Sequence, residues 1–373
     1  MAITTSLPER VNRGKLTYRR VKGIENFGLD NLYPNNSFNM YESSGALASC
    51  VDTYQAFIEG RGMTDNMNFW KARLNHRGMR VDQLHWKLTM DYAIHHGFAV
   101  LIHYNSLYEK VAYFHVPFEF CRLGERDDEG TVNKIHIFDE WDRVMYQNKD
   151  VKKYDVYNPD PEVIQRQVDA AGGWDEWTGQ IWYYGQYGEL DYPVNSFEQV
   201  LEDVATDYLI KRRKNSNITN NFAVTNYIEY PFKFVNSDER EAEHKKYRDI
   251  MNPDRSGSVM IIENDTHDIN GQPKEVKVHK LEVPNLDKLY EHTEKTVQDN
   301  IRRRYKIPEI LMNAVSTGFS SEIMQHAYTY YNNITESKRR MFEQFYLELF
   351  KGYYRDINPD QNYSIIPLSY DLD

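Results

Sequence analysis

A single proline, Pro308, limits what the last third of the chain can fold into. Residues 285–305 carry apolar side chains at helical spacing, and three arginines stand in the predicted last turn. Proline lacks a backbone N–H and disfavours helix in the residue before it, so this helix must end close to residue 306. A second helical pattern begins near residue 320 and runs to about 353, and its apolar positions are Ile323, Ala327, Tyr330, Ile334, Met341, Phe345 and Leu349. The sequence therefore predicts two long helices separated by the loop 307–319.

A further helix is predicted at 196–214, before a segment of different character. Its apolar face is marked by Phe197, Val200, Leu201, Val204, Tyr208 and Leu209. Ser196 and Gln199 form a predicted capping box. Residues 215–283 then read as a small α/β insert, whose last two strands are predicted to be joined through Asn270-Gly271. Because the insert returns the chain to its point of departure, helices 196–214 and 285–305 are expected to be antiparallel.

The first half of the chain has a mixed pattern. Residues 1–36 are rich in basic residues, and then in Gly, Pro and Asn, which predicts an extended arm. Two amphipathic helices follow, the first of them ended by Gly60, and alternating apolar residues between 98 and 190 predict a mainly antiparallel sheet. The fold class predicted for the whole chain is α+β.

Charge and composition restrict the classes of function. The formal net charge of −11 argues against a general nucleic-acid binder, because neutralising phosphates requires a concentrated cationic face. Cys50 and Cys121 lie in apolar stretches and are predicted to be buried thiols. No stretch reaches the roughly eighteen apolar residues that a membrane-spanning helix needs, so no membrane association is expected.

The residues that could support catalysis form no recognisable motif. The best metal candidates by residue type are His95, His96, His103 and His115, with Asp91 and Glu119 nearby, but their spacing matches no known ligand pattern. Nucleophile-elbow and Walker-type motifs are absent from the sequence. We therefore predict no catalytic residues, no metal and no cofactor. The alternative is a metal-dependent nuclease or nucleotidyl-transfer enzyme that uses the region 85–119.

Two groups of residues are candidates for contact with a polymer or a neighbouring subunit. The loop segment Asn313, Ala314, Val315, Ser316 and Thr317 is small and uncharged, which suits a surface facing sliding DNA but equally an ordinary surface loop. The cationic candidates, which either touch phosphates or pair with acids of adjacent subunits, are Lys211, Arg212, Arg213, Lys214, Arg302, Arg303 and Arg304. Each helix of the pair has a narrow apolar stripe. In a ring, copies of the same pair in neighbouring subunits would cover these stripes. In a monomer, the chain's own sheet would cover them.

The order of these segments resembles the portal proteins of tailed bacteriophages. The likeness extends over nearly the whole chain and is carried by "NLYPNNSFNMYESSGALASCVDTYQAFIEGRGM", by "LTMDYAIHHGFAVLIHYN", by "HVPFEFCRL" and by "IRRRYKIPEILMN". The resemblance implies a portal-like architecture: a β-rich wing with long stem helices, a small α/β clip insert and a long C-terminal helix.

By that resemblance the chain divides into seven segments. They are an arm at 1–36, a wing at 37–195, stem helices at 196–214 and 284–306, a clip at 215–283, a tunnel loop at 307–319, and a wing or crown helix with its tail at 320–373. The portion after the last helix is short for an extended crown.

The resemblance also implies function and partners. Portal proteins form a homo-oligomeric ring, usually of twelve subunits, at one capsid vertex of the virion, and the ring assembles in the host cytoplasm. The implied partners are the terminase large subunit, the major capsid protein, a head-tail adaptor and double-stranded DNA, which passes through without sequence recognition. The implied role is genome packaging and ejection without enzymatic activity. Another ring component of a phage, such as an adaptor or baseplate protein, is a further alternative that the helix-insert-helix order disfavours.

Overall fold

A computed structural model describes residues 17–21, 23–63, 67–142, 150–188, 190–219, 226–230, 236–242, 245, 259–263, 277–280, 286–312 and 321–370. The chain divides into two compact units. The larger unit combines Met1–Ala205 with Gln298–Asp373, and the smaller unit is Thr206–Val297. No helix in the described ranges is both long enough and apolar enough to cross a membrane.

Helices and strands occur in separate runs along the described parts of the chain. The helices are α1 (Tyr33–Ser43), α2 (Gly45–Glu59), α3 (Met67–Trp70), α4 (Val81–His95), α5 (Pro161–Ala171), α6 (Leu201–Thr219), α7 (Leu286–Tyr305), α8 (Glu309–Met312) and α9 (Ser321–Phe350). The strands are β1 (Thr17–Val21), β2 (Ile24–Phe27), β3 (Gly97–Tyr104), β4 (Lys110–Val116), β5 (Cys121–Leu123), β6 (Lys134–Ile137), β7 (Lys152–Val156), β8 (Gln180–Gly185), β9 (Asn226–Tyr230), β10 (Val259–Glu263) and β11 (Lys277–Lys280).

The larger unit is built around one sheet. Among the described residues its strand order is β4-β3-β8-β7-β6-β5, with every pair antiparallel except β7 and β8. Parallel neighbours need a crossover connection, and α5 supplies it between these two strands. The prediction of a mainly antiparallel sheet at 98–190 is therefore right for most pairs and wrong for this one.

Helix α5 was not predicted from the sequence, although its boundaries carry clear signals. Asp160 accepts a hydrogen bond from the backbone N–H of Glu162 at 2.9 Å, Pro161 takes the first helical position, and Gly172 ends the helix with φ of 98°. These are the ordinary cap residues of a helix. Ile164 and Val168 form its buried stripe.

Both faces of the sheet are covered, because the side chains of β3 alternate between them. On one face Phe98 packs against α4 and α9. Its ring centroid lies 5.1 Å from that of Phe342 and 4.8 Å from that of Phe345. The second half of α9 is therefore a central part of the core, together with Tyr346 and Leu349.

The other face of the sheet is covered by the segment before α1. Phe27 stacks on Tyr33 at 5.3 Å and on Tyr192 at 4.0 Å between ring centroids, and all three rings are buried. The prediction of an extended arm over 1–36 is wrong for residues 24–36. Burial of these aromatic side chains stabilises the segment by more free energy than its Gly, Pro and Asn residues cost when they are held in regular structure. α1 itself starts at Tyr33 with proline in its first turn, where proline is tolerated.

A buried arginine ties this segment to the sheet. The Arg122 guanidinium is fully buried and donates to the Asn31 carbonyl at 2.6 Å, to the Asn31 side-chain oxygen at 2.8 Å and to the Asn35 side-chain oxygen at 2.8 Å. It also lies over the Trp141 ring, 5.0 Å from its centroid. Because the charge is removed from water, these acceptors are needed to offset its desolvation.

The smaller unit contains a three-stranded sheet among its described residues. β9 lies between β10, which is parallel to it, and β11, which is antiparallel. The predicted hairpin through Asn270-Gly271, which lies outside the described residues, is therefore wrong, since β10 and β11 pair with opposite edges of β9. A helical stretch at 237–242 lies between β9 and β10 in sequence, and its Arg240 forms an ion pair with Glu263 at 2.6 Å.

Candidate functional site

The long helices α6 and α7 contact each other within each unit. In the larger unit the Asn300 side-chain amide donates to Asp203 Oδ1 at 3.0 Å. In the smaller unit Lys214 pairs with Glu294. Within the larger unit position 203 matches 300, and position 196, whose hydroxyl lies beside that of Tyr305, matches 305, so the residue numbers fall along one segment as they rise along the other. The predicted antiparallel arrangement of these helices is confirmed.

The start of α6 differs from the prediction. The Ser196 hydroxyl makes no capping box and instead lies 2.5 Å from the Tyr305 hydroxyl, at the far end of α7. The backbone N–H of Phe197 is bound by the Asn195 side-chain oxygen at 3.2 Å, and the α-helix begins only at Leu201, after a turn of 3₁₀ helix. Leu209, predicted to lie on the apolar face, is 46% exposed.

The candidate cations at 211–214 differ in environment. Lys211 forms an i,i+4 ion pair with the buried Asp207 at 2.8 Å, and Lys214 forms the ion pair with Glu294. Arg212 and Arg213 are exposed. In this group, Arg212 and Arg213 are thus best placed to meet a phosphate or a carboxylate from another molecule.

The arginines at 302–304 also separate by role. Arg302 donates to the Ile307 carbonyl at 3.1 Å and to Asp299 Oδ1 at 3.1 Å, so it closes the turn that follows α7. Arg304 is half-buried, and its positive charge opposes the rise that burial causes in the pKa of Tyr54. Arg303 is exposed.

The turn after α7 has the conformation that Pro308 predicts. Lys306 adopts a left-handed conformation with φ of 57°, and the backbone N–H of Ile307 returns to the Arg302 carbonyl at 3.3 Å. Ile307 is buried, and the Tyr331 hydroxyl of α9 donates to the Tyr305 carbonyl at 3.1 Å. The end of the helix is therefore held from both sides. The short helix α8 follows, and the described residues before the next gap end at Met312.

The predicted tunnel-loop residues fall in that gap. Asn313, Ala314, Val315, Ser316 and Thr317 lie outside the described residues. Their role stays a prediction. The structure describes the segments on either side of them, which are α8 and the start of α9.

An open groove of about 570 Å³ lies between these two segments. Its floor is largely apolar and its rim carries cationic groups. The lining residues are Arg303, Lys306, Ile307, Pro308, Ile310, Ile323, His326, Ala327 and Tyr330. We name this feature the α7–α9 groove. Only Arg303 of this set was a candidate from the sequence.

The apolar residues Ile323 and Tyr330 were the one sequence signal for the groove, and they were assigned to the wrong face of the helix. Ile323 and Tyr330 were predicted to lie on the buried face of the last helix, but they are 49% and 54% exposed. The buried stripe instead runs through Ala327, Tyr331 and Thr335. Ile323 and Tyr330 are seven residues apart and share a face of their own, beside the stripe that packs on the core.

Two histidines of the region 85–119, His85 and His96, make hydrogen bonds within the core. The His85 ring bonds the Tyr346 hydroxyl at 2.9 Å and the Glu59 carbonyl at 3.1 Å, and His96 bonds the Val194 carbonyl at 3.1 Å. Burial lowers the pKa of His85 to about 4 and that of His95 to about 3, so both rings are neutral near pH 7. Among the residues described, no three His, Cys, Asp or Glu side chains are arranged to hold a metal ion.

One histidine of the region does meet a carboxylate. The His115 ring lies 2.8 Å from Asp91 Oδ2, and burial, followed by the charge of Asp91, raises the pKa of Glu119 to about 7. A carboxyl group with such a pKa is suited to holding a proton at neutral pH. The sequence placed these residues in one region but did not predict that they would lie close together.

No protein-family model matches the sequence, and no curated protein matches it. Among solved structures, the neck of an empty gene transfer agent (GTA) particle is similar with a TM-score of 0.48 and 9% identity, covering 84% of this chain and 78% of that chain. The virion of the native GTA particle gives 0.46 and 9%, covering 79% and 74%. An HK97-family phage portal protein from Corynebacterium diphtheriae gives 0.42 and 8%, covering 79% and 85%. This last protein belongs to the family that the sequence resembles.

Proposed function

We propose that this chain is the portal protein of a tailed bacteriophage, a ring-forming subunit at one vertex of the capsid. The observation that carries the proposal is the path of the chain through α6 and α7. The boundaries between the compact units fall inside both helices, at 205–206 and at 297–298. The chain thus leaves the larger unit on one long helix, builds a separate unit and returns on an antiparallel one. Such a helix pair suits the stem of a ring, with the separate unit as its clip.

The segments of the proposed portal follow from this assignment. The stem consists of α6 and α7, the clip of the residues between them, and the wing of the sheet with α1 to α5. The segment 24–36 joins the wing, because its aromatic side chains are part of the core there. The long helix α9 and the residues after it complete wing and crown.

The proposed channel surface is the segment 313–317. Its small uncharged side chains would let DNA slide, because strong phosphate contacts would add a barrier at each step. The exposed Arg212 and Arg213 are proposed to meet phosphates or acids of a neighbouring subunit. In either case the contact with DNA is independent of base sequence.

In this proposal the chain performs no chemistry of its own. Hydrolysis of ATP belongs to the terminase, whose large subunit docks on the clip, and a head-tail adaptor replaces it there after packaging. The major capsid protein contacts the wing. The ring is proposed to contain about twelve copies, by resemblance to the family.

The test of the proposal is the mass and shape of the purified protein. Light scattering on the chain of 44.3 kDa should give a mass about twelve times larger, and negative-stain images of the same fraction should show rings with a central hole. Compact particles without a hole would contradict the proposal.

The clip assignment has a separate test. A variant lacking residues 220–280, closed by a short Gly-Ser linker, should still form rings but lose binding to the terminase large subunit and to the adaptor. Rings of this variant that bind both partners would refute the clip assignment and leave the ring intact.

A further inference from the structure

The α7–α9 groove combines exposed apolar side chains with cationic ones. It exposes an aromatic ring, Tyr330, at 54% and an aliphatic side chain, Ile323, at 49%, beside the cationic Arg303 and Lys306. Exposed aromatic rings next to apolar and cationic groups are typical of surfaces that bind another protein chain. No carboxylate is among the described residues that line the groove.

The tail of the chain follows the opposite flank of the same helix. The backbone N–H of Ile366 donates to the Gly62 carbonyl at 2.8 Å, and the Asn332 side chain of α9 donates to the Leu368 carbonyl at 2.6 Å. Further on, the Tyr370 ring lies 5.8 Å from that of Tyr328. The tail therefore runs along α9 toward its N-terminal end.

The groove and the tail are on nearly opposite sides of α9. Positions two residues apart on a helix differ by about 200° around its axis. Tyr328 contacts the tail, and His326 and Tyr330, two residues before and after it, line the groove. A head-to-tail contact joins two different surfaces, and such contacts generate a ring when the rotation from one copy to the next closes.

We propose that the α7–α9 groove binds residues 370–373 of a second copy of this chain. This inference rests on the proposed function, because it assigns one contact of the proposed ring. The segment has the sequence Tyr-Asp-Leu-Asp, so its two carboxylates complement Arg303, Lys306 and His326, and Leu372 complements the apolar floor. The apolar contact supplies most of the affinity, and the charges set orientation.

The chain's own tail is poorly placed to fill its own groove. Residues 371–373, which follow Tyr370, span at most about 10–11 Å when extended. The path halfway around a helix of 10–12 Å diameter is roughly 15–19 Å. A neighbouring copy, which approaches from the groove side, has no such limit.

The inference is tested by cross-linking between copies. The variant carrying both Tyr330→Cys and Leu372→Cys, mildly oxidised in the assembled state, should give a ladder of multimers on a non-reducing gel. Each single variant is the matched control and should give no ladder, since Cys50 and Cys121 are buried. A chain linked only to itself, seen as a monomer of altered mobility, would overturn the inference, and so would rings in which the double variant forms no links.

A charge-swap experiment distinguishes this inference from the proposed function. Arg303→Asp with Lys306→Asp should raise the protein concentration needed for half-assembly at least tenfold, and adding Asp371→Lys with Asp373→Lys should restore it. The control, Lys152→Glu with Lys153→Glu, alters exposed cations elsewhere and should leave assembly unchanged. Rings that form equally well in all variants would refute the groove contact and preserve the portal proposal. A wild-type protein that stays monomeric at every concentration would refute both.

Discussion

The two halves of α9 belong to one continuous helix but have opposite environments. The second half buries Phe342, Phe345 and Tyr346 against the sheet and α4. The first half buries only a narrow stripe and exposes Tyr330 and Ile323 on the face beside it. Both halves have apolar residues at helical spacing. The difference shows that the apolar side chains of one helix can be covered by the same chain at one end and remain exposed, and able to bind another molecule, at the other end.

The largest expected loss of stability comes from a substitution in the buried second half of α9. Phe342→Ala removes a fully buried ring from between Phe98 and Tyr92, and the cavity cannot be filled by movement of a helix held at several points. We expect the free energy of unfolding to fall by about 3–5 kcal/mol. Urea denaturation, followed by circular dichroism at one fixed protein concentration, measures it. The control Leu347→Ala alters an exposed residue of the same half and should change stability by less than about 0.5 kcal/mol.

A second prediction uses pH to test how tightly the buried half is packed. His85 is bound to Tyr346 and has a pKa of about 4 because burial disfavours its charged form, compared with 6.5 in the unfolded chain. The unfolded state therefore binds a proton first as pH falls below 6.5, and stability is lost down to about pH 4. Between pH 6.5 and pH 5 this one group should cost about 2 kcal/mol.

The comparison of wild type with His85→Gln measures this contribution. The variant should lose less stability than the wild type between pH 6.5 and pH 5, even if its stability at pH 7 is lower. Equal pH slopes for the two proteins would show that His85 can be protonated in the folded state, and that the packing around Tyr346 is looser than the structure indicates.

Neighbouring tyrosines allow a smaller, local test of the first half. Tyr331 is buried and donates its hydroxyl hydrogen to the Tyr305 carbonyl, whereas the Tyr330 side chain is largely exposed. Tyr331→Phe should lower the free energy of unfolding by about 1 kcal/mol, because the carbonyl loses its buried donor. Tyr330→Phe is the matched control, and an equal loss in both variants would contradict the assignment of the two faces.

Much of the architecture could be predicted where local chemistry decides it. Pro308 determined the end of α7 and Gly60 the end of α2, because each has a backbone requirement that no neighbour changes. The antiparallel helix pair followed from the insert between its members. Helix α5 could have been predicted by the same reasoning, because Asp160, Pro161 and Gly172 are ordinary cap residues of a helix. Its absence from the prediction therefore does not reflect a missing signal in the sequence.

The remaining features depend on tertiary partners that a pattern does not name. Phe27 and Tyr33 lie in a stretch rich in turn-forming residues, and only the available sheet face explains their burial. The groove combines residues on both sides of 313–320, so its cationic and apolar members are not adjacent in sequence. Helical spacing alone could not decide whether Ile323 and Tyr330 or Ala327 and Tyr331 meet the core, because both pairs are compatible with an amphipathic helix.

The smallest effect on folding should accompany a clear effect on association. Tyr330→Ala removes an exposed ring, so the free energy of unfolding should change by less than about 0.5 kcal/mol. If the first half of α9 is completed by a second copy, the same variant should raise the concentration needed for half-assembly by about tenfold or more, since aromatic anchors carry much of an interface's energy. Light scattering over a dilution series measures this, with Leu347→Ala as the exposed control from the other half. A loss of assembly in both variants would place the contact along the whole outer face of α9, and unchanged assembly in Tyr330→Ala would remove this ring from the contact between copies.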